Sequence, residues 1–413
     1  MSQIIERRVR QRILEALSDT RVVVVVGARQ VGKSTLALDI VKRDFPAAAV
    51  NLDERATRAA VRADPAGALA DLDGPVFIDE VQRGGNDLLL EIKASVDRDT
   101  RPGRFLLTGS ANLLATRRTF EALTGRMEII RLSPLSQSEI EGSTTSFVDL
   151  LFSNEPARIR DDPKGRRAFV ERVVRGGYPA AVRRAGPRRE AWFESYLESA
   201  LGRDLRELSD AHKLGELPRL LRLLATRAAN LFAVSGVAKR LGLDHRTVSA
   251  YCDLLEAAFL IRRVPAWRPG IGAREARTPK VYVTDSGLLC HLLGADAGRL
   301  ARDDQVTGKA LENFVTMEVA RHADWAQTDA RLFHYRSGRR EVDLVLERRS
   351  GEIACVEVKA AASFGARDWH AMEVLRDERG EAFRAGFLLY AGERTLPLGD
   401  RLWAVPISAL WQG

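Results

Sequence analysis

The chain has few of the residues that tie a fold together covalently or through a metal. Three cysteines stand in 413 residues, Cys252, Cys290 and Cys355. They are too scattered for a zinc knuckle or a disulfide framework and read as small buried apolar side chains. Histidines number six, and His291, His334 and His370 lack metal-ligand spacing, so they read as structural. No apolar run approaches the ~18 residues that cross a bilayer. The charged opening Met1–Arg12 lacks the apolar centre of a signal peptide. A cytoplasmic protein with no membrane attachment is the expectation. Internal repeats and low-complexity tails are also missing.

Arginine, alanine, glycine and aspartate are plentiful. The net charge is +8 and the sequence pI about 9.6. A phosphate-rich partner fits that charge. So does the codon bias of a GC-rich genome, and charge alone does not choose between them. A chain of 413 residues is too long for one ordinary core, and two or three domains are expected.

The first segment alternates buried-strand runs (Val22–Val26, Ala49–Leu52, Val76–Ile78, Phe105–Leu107) with helix-compatible stretches. That is the pattern of a doubly wound parallel α/β domain with ligands at the carboxyl strand ends. Gly27-Ala28-Arg29-Gln30-Val31-Gly32-Lys33-Ser34 matches the phosphate-binding loop in full, between an apolar strand and a helical segment. Its backbone N–H groups, with Thr35 opening the helix, cradle phosphates. Lys33 reaches the β- and γ-phosphates of ATP, and the Ser34 hydroxyl ligates Mg²⁺. Val76–Glu80 adds Asp79 for the Mg²⁺ shell and Glu80 to polarise the attacking water. Thr108 or Ser110, after another buried strand, can sense the γ-phosphate; a helix-capping serine is the alternative. Arg126, after the turn at Gly125, reads either as a finger on a neighbouring subunit's ATP, which implies a homo-oligomer, or as a surface arginine.

Here the strings GARQVGKSTL, VFIDEVQR, FLLTGS, LTGRMEIIRLSPLSQSE and GGYP follow one another, with Arg203–Leu205, Thr284–Leu289 and Leu311–Val315 behind them. In this the chain resembles a bacterial and archaeal family of AAA-type ATPases with a C-terminal domain of unknown function. The resemblance implies ATP and Mg²⁺ as cofactors, and it favours Arg126 as the finger. Ala28 departs from the proline expected there and leaves the phosphate cradle intact.

Two further constellations lie behind the ATPase segment. Asp343 on one strand, then Glu357 and Lys359 two apart on the next, resemble the PD-(D/E)XK nuclease superfamily, with Glu312 on a preceding helix as a further carboxylate. That resemblance implies a Mg²⁺ site of Glu312, Asp343 and Glu357, with Lys359 acting on water. Val342 stands where the superfamily name places a proline before the acidic residue, here Asp343. Three readings stay open: an active nuclease, a degenerate one used for binding, and a hairpin with solvated charges. Farther forward, Ser235–Arg240, Leu241–Leu243 and Asp244–Glu256 read as helix, turn and helix, with Leu260–Val264 as a wing strand. Val237, Leu241, Val248, Leu254 and Leu255 would form its core. His245, Arg246 and Ser249 would face outward, with Lys239 and Arg240 at the end of the first helix, a face suited to phosphate and base contacts with DNA; a packing unit within the ATPase is the alternative.

The expected architecture is therefore α/β. It comprises an AAA-like P-loop core (1–145), a helical lid or linker (146–215), a winged-helix-like domain (216–279) and a C-terminal restriction-endonuclease-like α/β domain (280–413). The expected function is an ATP-hydrolysing, DNA-acting enzyme with cleavage at the terminal site in view. The alternative is a nucleotide-switched protein-interaction ATPase with an inactive terminal domain.

Overall fold

The computed structural model describes residues 4–412 except 71, 110–122, 154–158, 160, 163–164, 205–213 and 271–276. Ser110, and Leu205 of the Arg203–Leu205 string, lie outside the described residues.

The first sheet is built on β1 (Val22–Val26), five valines that are all buried. Each contributes roughly 1.5–3 kcal/mol by leaving water. It pairs in parallel with β4 (Phe105–Gly109) on one side and β5 (Met127–Arg131) on the other. With β2 (Ala48–Asn51) and β3 (Val76–Asp79) the order is β2-β3-β4-β1-β5. The carboxyl ends of β3, β4 and β1 therefore lie side by side, and this edge presents the site. The strand β5 escaped the sequence pattern because it is an edge strand, with only Ile130 fully buried among Met127, Glu128, Ile129 and Arg131.

In the middle region Leu217, Leu220, Leu221 and Leu224 of the helix Leu217–Thr226 recur at helical spacing and are all buried. The helices Val234–Leu241 and His245–Ala257 follow, joined at Gly242. Asp244 caps the second, accepting from the Thr247 N–H at 2.9 Å. Val237, Leu241, Val248 and Leu255 are buried, while Leu254 is half-buried. The strand β7 (Ile261–Val264) comes next, but its partner is β8 (Lys280–Val283), which also pairs with β6 (Asn230–Leu231). Lys280–Val283 thus belongs to the middle sheet, and a boundary between 279 and 280 cuts across it.

The terminal sheet has the order β13-β14-β12-β11-β10-β9. Strands β9 (Ala330–Ser337), β10 (Arg340–Arg348) and β11 (Ile353–Lys359) are antiparallel neighbours. Strands β11, β12 (Phe383–Tyr390) and β14 (Leu402–Pro406) run parallel, and β13 (Leu396–Gly399) closes the edge. The helix Asp304–Ala323 is buried on nearly every side, polar residues included. It packs against β8 of the middle sheet and β11 of the terminal one. Its polar groups find partners in the ATPase segment, where Glu318 accepts from the Gln137 N–H, and in the middle region, where the Asn313 amide pairs with the Val283 backbone. Among the described residues no helix is long and apolar enough to cross a membrane. The three cysteines are buried and free.

Candidate active site

At the carboxyl edge of the first sheet, Gly32 adopts φ 100°, a conformation that favours glycine. Gly27 has no room for a side chain, since a Cβ there would lie 2.2 Å from the Leu132 carbonyl oxygen. The Lys33 ammonium is buried and donates to the carbonyls of Gly27 at 3.1 Å and Ala28 at 3.0 Å. The Ser34 hydroxyl donates to Asp79 Oδ1 at 2.9 Å, and the Thr108 hydroxyl donates to the same oxygen. Two hydroxyls and a carboxylate on one spot form a hard oxygen set of the kind Mg²⁺ takes. Glu80 follows at φ 54°, a strained backbone for a non-glycine residue. Its N–H donates to the Thr108 hydroxyl at 3.3 Å, and its carboxylate accepts from the Gln82 amide. A cleft of about 1670 Å³ opens over these groups, walled by Ile4–Arg8, by Glu139–Gly142 and by Pro179, Ala180, Arg183 and Arg184.

Arg126 lies at the opposite, amino edge of the sheet, just ahead of the Val22↔Met127 pairing. It forms an ion pair with Asp97, Nε to Oδ1 at 2.5 Å. Five strand residues at ~3.3 Å each separate it from the P-loop edge of its own chain.

In the terminal domain, Asp343 and Glu357 do meet. The Asp343 N–H donates to Glu357 Oε2 at 3.3 Å, and the Val358 N–H donates to Asp343 Oδ2 at 3.0 Å. Glu312 joins them from the helix, but the centre of the group is a lysine that the sequence pattern did not single out. The buried Lys280 ammonium lies 2.8 Å from Glu312 Oε1, 2.8 Å from Glu341 Oε1 and 3.2 Å from Asp343 Oδ1. The Tyr282 hydroxyl adds a bond to Glu312 at 3.1 Å. Lys359, expected to act on water here, is instead drawn to Asp368 at 2.5 Å. Burial and the Asp343 charge push the Glu312 carboxyl up to about 8, against the pull of Lys280. The same two effects drive Glu357 well above the usual carboxylate range. The residues do not fit a Mg²⁺ site as expected, because an ammonium of this chain already takes the carboxylate oxygens. Among the described residues no group of three or more His, Cys, Asp or Glu is arranged to hold a metal. The one signal for Lys280 in the sequence is its strand position two residues before Tyr282, with both side chains on one face.

The AAA domain family matches residues 19–141, and two families described as domains of unknown function match residues 166–299 and 307–410. The uncharacterized protein Rv2008c of Mycobacterium tuberculosis is 31% identical over 414 residues, covering 98% of this chain and 85% of that one. The chain belongs to its family. An uncharacterized protein of Mycobacterium bovis matches to the same extent, and one of Haemophilus influenzae is 24% identical over 68% of this chain and 64% of its own. Among solved structures, the Walker-type ATPase PABY2304 of Pyrococcus abyssi is similar at TM-score 0.44 and 18% identity, covering 70% of this chain and 96% of that one. The Thermotoga maritima RuvB Holliday junction branch migration motor is similar at TM-score 0.30 and 18% identity, over 62% and 89%. The N-terminal part of this family member is an AAA-type P-loop ATPase domain.

The three matched regions of this family member meet at one buried polar joint. Arg7 donates to the P-loop carbonyl of Val31 at 2.9 Å, to Ser133 O at 2.6 Å and to Glu139 Oε1 at 3.1 Å. Against the upward push of burial, Arg7 and the N–H groups of Ser136 and Arg8 hold the Glu139 carboxyl below its usual range. From the long helix, Glu318 accepts from the Gln137 N–H at 2.7 Å, and Arg321 donates to Leu135 O at 3.0 Å and Asp285 Oδ2 at 3.0 Å. Asp285 also accepts from the Gly177 N–H at 2.7 Å. The strings LSPLSQSE, GGYP and TDSGLL, whose order marked the resemblance, thus share one network.

His322 completes the joint, with Nδ1 accepting from the Phe147 N–H at 2.9 Å and Nε2 lying 3.2 Å from the Ser138 hydroxyl. Burial lowers its pKa to about 4. The unfolded chain therefore takes up a proton below about 6.5 that the folded chain refuses. Stability is full above that value and falls as pH drops from about 6.5 to 4, by on the order of 3 kcal/mol. In His322→Gln, urea midpoints between pH 7 and pH 4 should lose this part of the decline. An unchanged slope would remove His322 as its source.

Proposed function

We propose that the protein hydrolyses ATP with Mg²⁺ at the P-loop cleft and binds DNA through its helix-turn-helix face, with nucleotide state passed between them through the helix Asp304–Ala323. Lys33 holds the β- and γ-phosphates, Ser34 and Asp79 would hold Mg²⁺, and Glu80 orients the water. Thr108 fixes Asp79 and senses the γ-phosphate. Bound Mg²⁺ offsets charge on the phosphates. Release of Glu80 from Gln82 frees its carboxylate for water. Arg126 serves a neighbouring subunit's ATP in a homo-oligomer.

What supports DNA binding is one observation. Lys239, Arg240, His245 and Arg246 form an exposed group around the turn between the two helices, and none has an ion pair among the described residues. Ser249 behind them is half-buried. Arg246→Ala and Lys239→Ala should each weaken binding to a duplex oligonucleotide and lower the salt slope by about 1 for every phosphate left without its cation. Fluorescence anisotropy across a salt series reads both quantities. Binding and slope that match the parent protein would end the DNA assignment.

The second reading, a terminal domain of nuclease-like ancestry that does not cut, is favoured by Lys280 at the centre of the carboxylates and by Lys359 turned to Asp368. On that reading DNA stays intact in the same tubes with Mg²⁺. Nicks that vanish in Asp343→Ala would reverse it.

A further inference from the structure

A second cavity, of about 300 Å³, opens where the AAA domain, the helix-turn-helix pair and the long helix come together. Ala28 of the P-loop and Leu132 form part of its wall, with Phe259 and Met317 as apolar neighbours. Four arginines also line it, and two of them are committed elsewhere. Arg263 pairs with Asp253 at 2.7 Å and Glu256 at 2.5 Å, and Arg321 with Glu318 and Asp285. Arg131 and Arg262 are different. Among the described residues neither guanidinium has a carboxylate within ion-pair distance or a hydrogen-bond acceptor. Arg131 stacks over the Phe259 ring at 5.3 Å. Asp324 is the negative charge near both, and its Oδ2 is taken by the Ser133 hydroxyl at 2.6 Å. Burial lowers the Arg262 pKa and Arg131 adds to this, while Asp324 and Glu256, a carboxylate on the cavity wall that is itself paired with Arg263, oppose it.

We propose that this cavity is a second ligand site, taking a small phosphorylated molecule whose phosphate is held by Arg131 and Arg262 and whose organic part lies against Phe259. The planar guanidinium fork matches phosphate oxygens in pairs, which an ammonium does not. A half-buried cation without a partner is costly, and an anion from solution removes that cost. The volume suits the small end of ligand pockets. A ligand here would bear on nucleotide binding from behind, because it touches Ala28, and Leu132 is the residue whose carbonyl closes on Gly27. A nucleic-acid backbone is the other source of such a phosphate, and the experiment separates the two.

The test titrates pyrophosphate into full-length Lys33→Ala protein by calorimetry, so that the P-loop contributes little. Saturable binding should persist there and weaken at least about tenfold when Arg262→Gln or Arg131→Gln is added. Arg131 is exposed, so its variant keeps the test open should Arg262→Gln fold poorly. Absence of saturable binding in Lys33→Ala, or equal binding after both arginine changes, overturns the proposal. So does binding of a duplex oligonucleotide that needs both arginines while pyrophosphate fails to bind.

Discussion

Lys33→Ala should lose ATP affinity by about tenfold to more than a hundredfold, the loss of one or two charge-assisted bonds worth ~1.5–3 kcal/mol each. The effect should be that large because Lys33 is already buried and aimed, resting on the Gly27 and Ala28 carbonyls. Phosphate oxygens can take the place of those carbonyls. Glu80→Gln should separate binding from chemistry. It removes the carboxylate that orients and activates water, a role worth ~10²–10⁴ in rate, and leaves the phosphate contacts in place. ATP affinity should stay within a few-fold of the parent while turnover collapses. The glutamine keeps the size of the side chain at a strained φ of 54°, so folding should be little changed. Nucleotide fluorescence for affinity and phosphate release for turnover decide the matter. Lys33→Ala with parental affinity and turnover would overturn the assignment of the cleft.

The nucleotide site was legible in the sequence because its parts are local. A glycine-rich octapeptide, and an acidic pair ending an apolar strand, carry their geometry with them. The helix-turn-helix was legible for the same reason, through Asp244 as cap and Gly242 at the turn. The terminal cluster was half legible. Alternation on β10 and β11 brings Asp343 to Glu357, but Lys280 arrives from a strand 63 residues earlier. No periodicity records that approach. Lys359 misled for a related reason: spacing on a strand sets the face of a side chain, and Asp368 beyond the strand end decides where the ammonium goes. The joint was least legible of all. Arg7 and Glu139 are 132 residues apart, and each alone reads as a surface charge.

Lys280→Met should be among the most destabilising single changes in the back half. It removes the cation that touches Glu312, Glu341 and Asp343 together and leaves the buried carboxylates facing one another. Breaking a buried ion pair from one side costs ~3–5 kcal/mol. Methionine keeps the length of the lysine stem, so poorer packing adds little. The pH dependence should identify the cause. In the parent protein Glu312, at about 8, is raised above its unfolded value of about 4.3. Its proton therefore supports folding below that unfolded value, and the support is lost as pH rises to about 8. Without Lys280 the carboxylates hold protons more tightly still. The variant should be nearest the parent in stability at or below about pH 4 and fall furthest behind above pH 8. Glu312→Gln added to Lys280→Met should recover part of the stability, since it removes one of the stranded charges. Adding Mg²⁺ or Mn²⁺ to Lys280→Met asks whether the emptied oxygen cage accepts a divalent cation in place of the ammonium. A rise in the thermal midpoint confined to the variant would mean that Lys280 occupies what is otherwise a cation site. A Lys280→Met midpoint equal to the parent's at every pH would mean that the ammonium contributes nothing to holding the middle sheet against the terminal one.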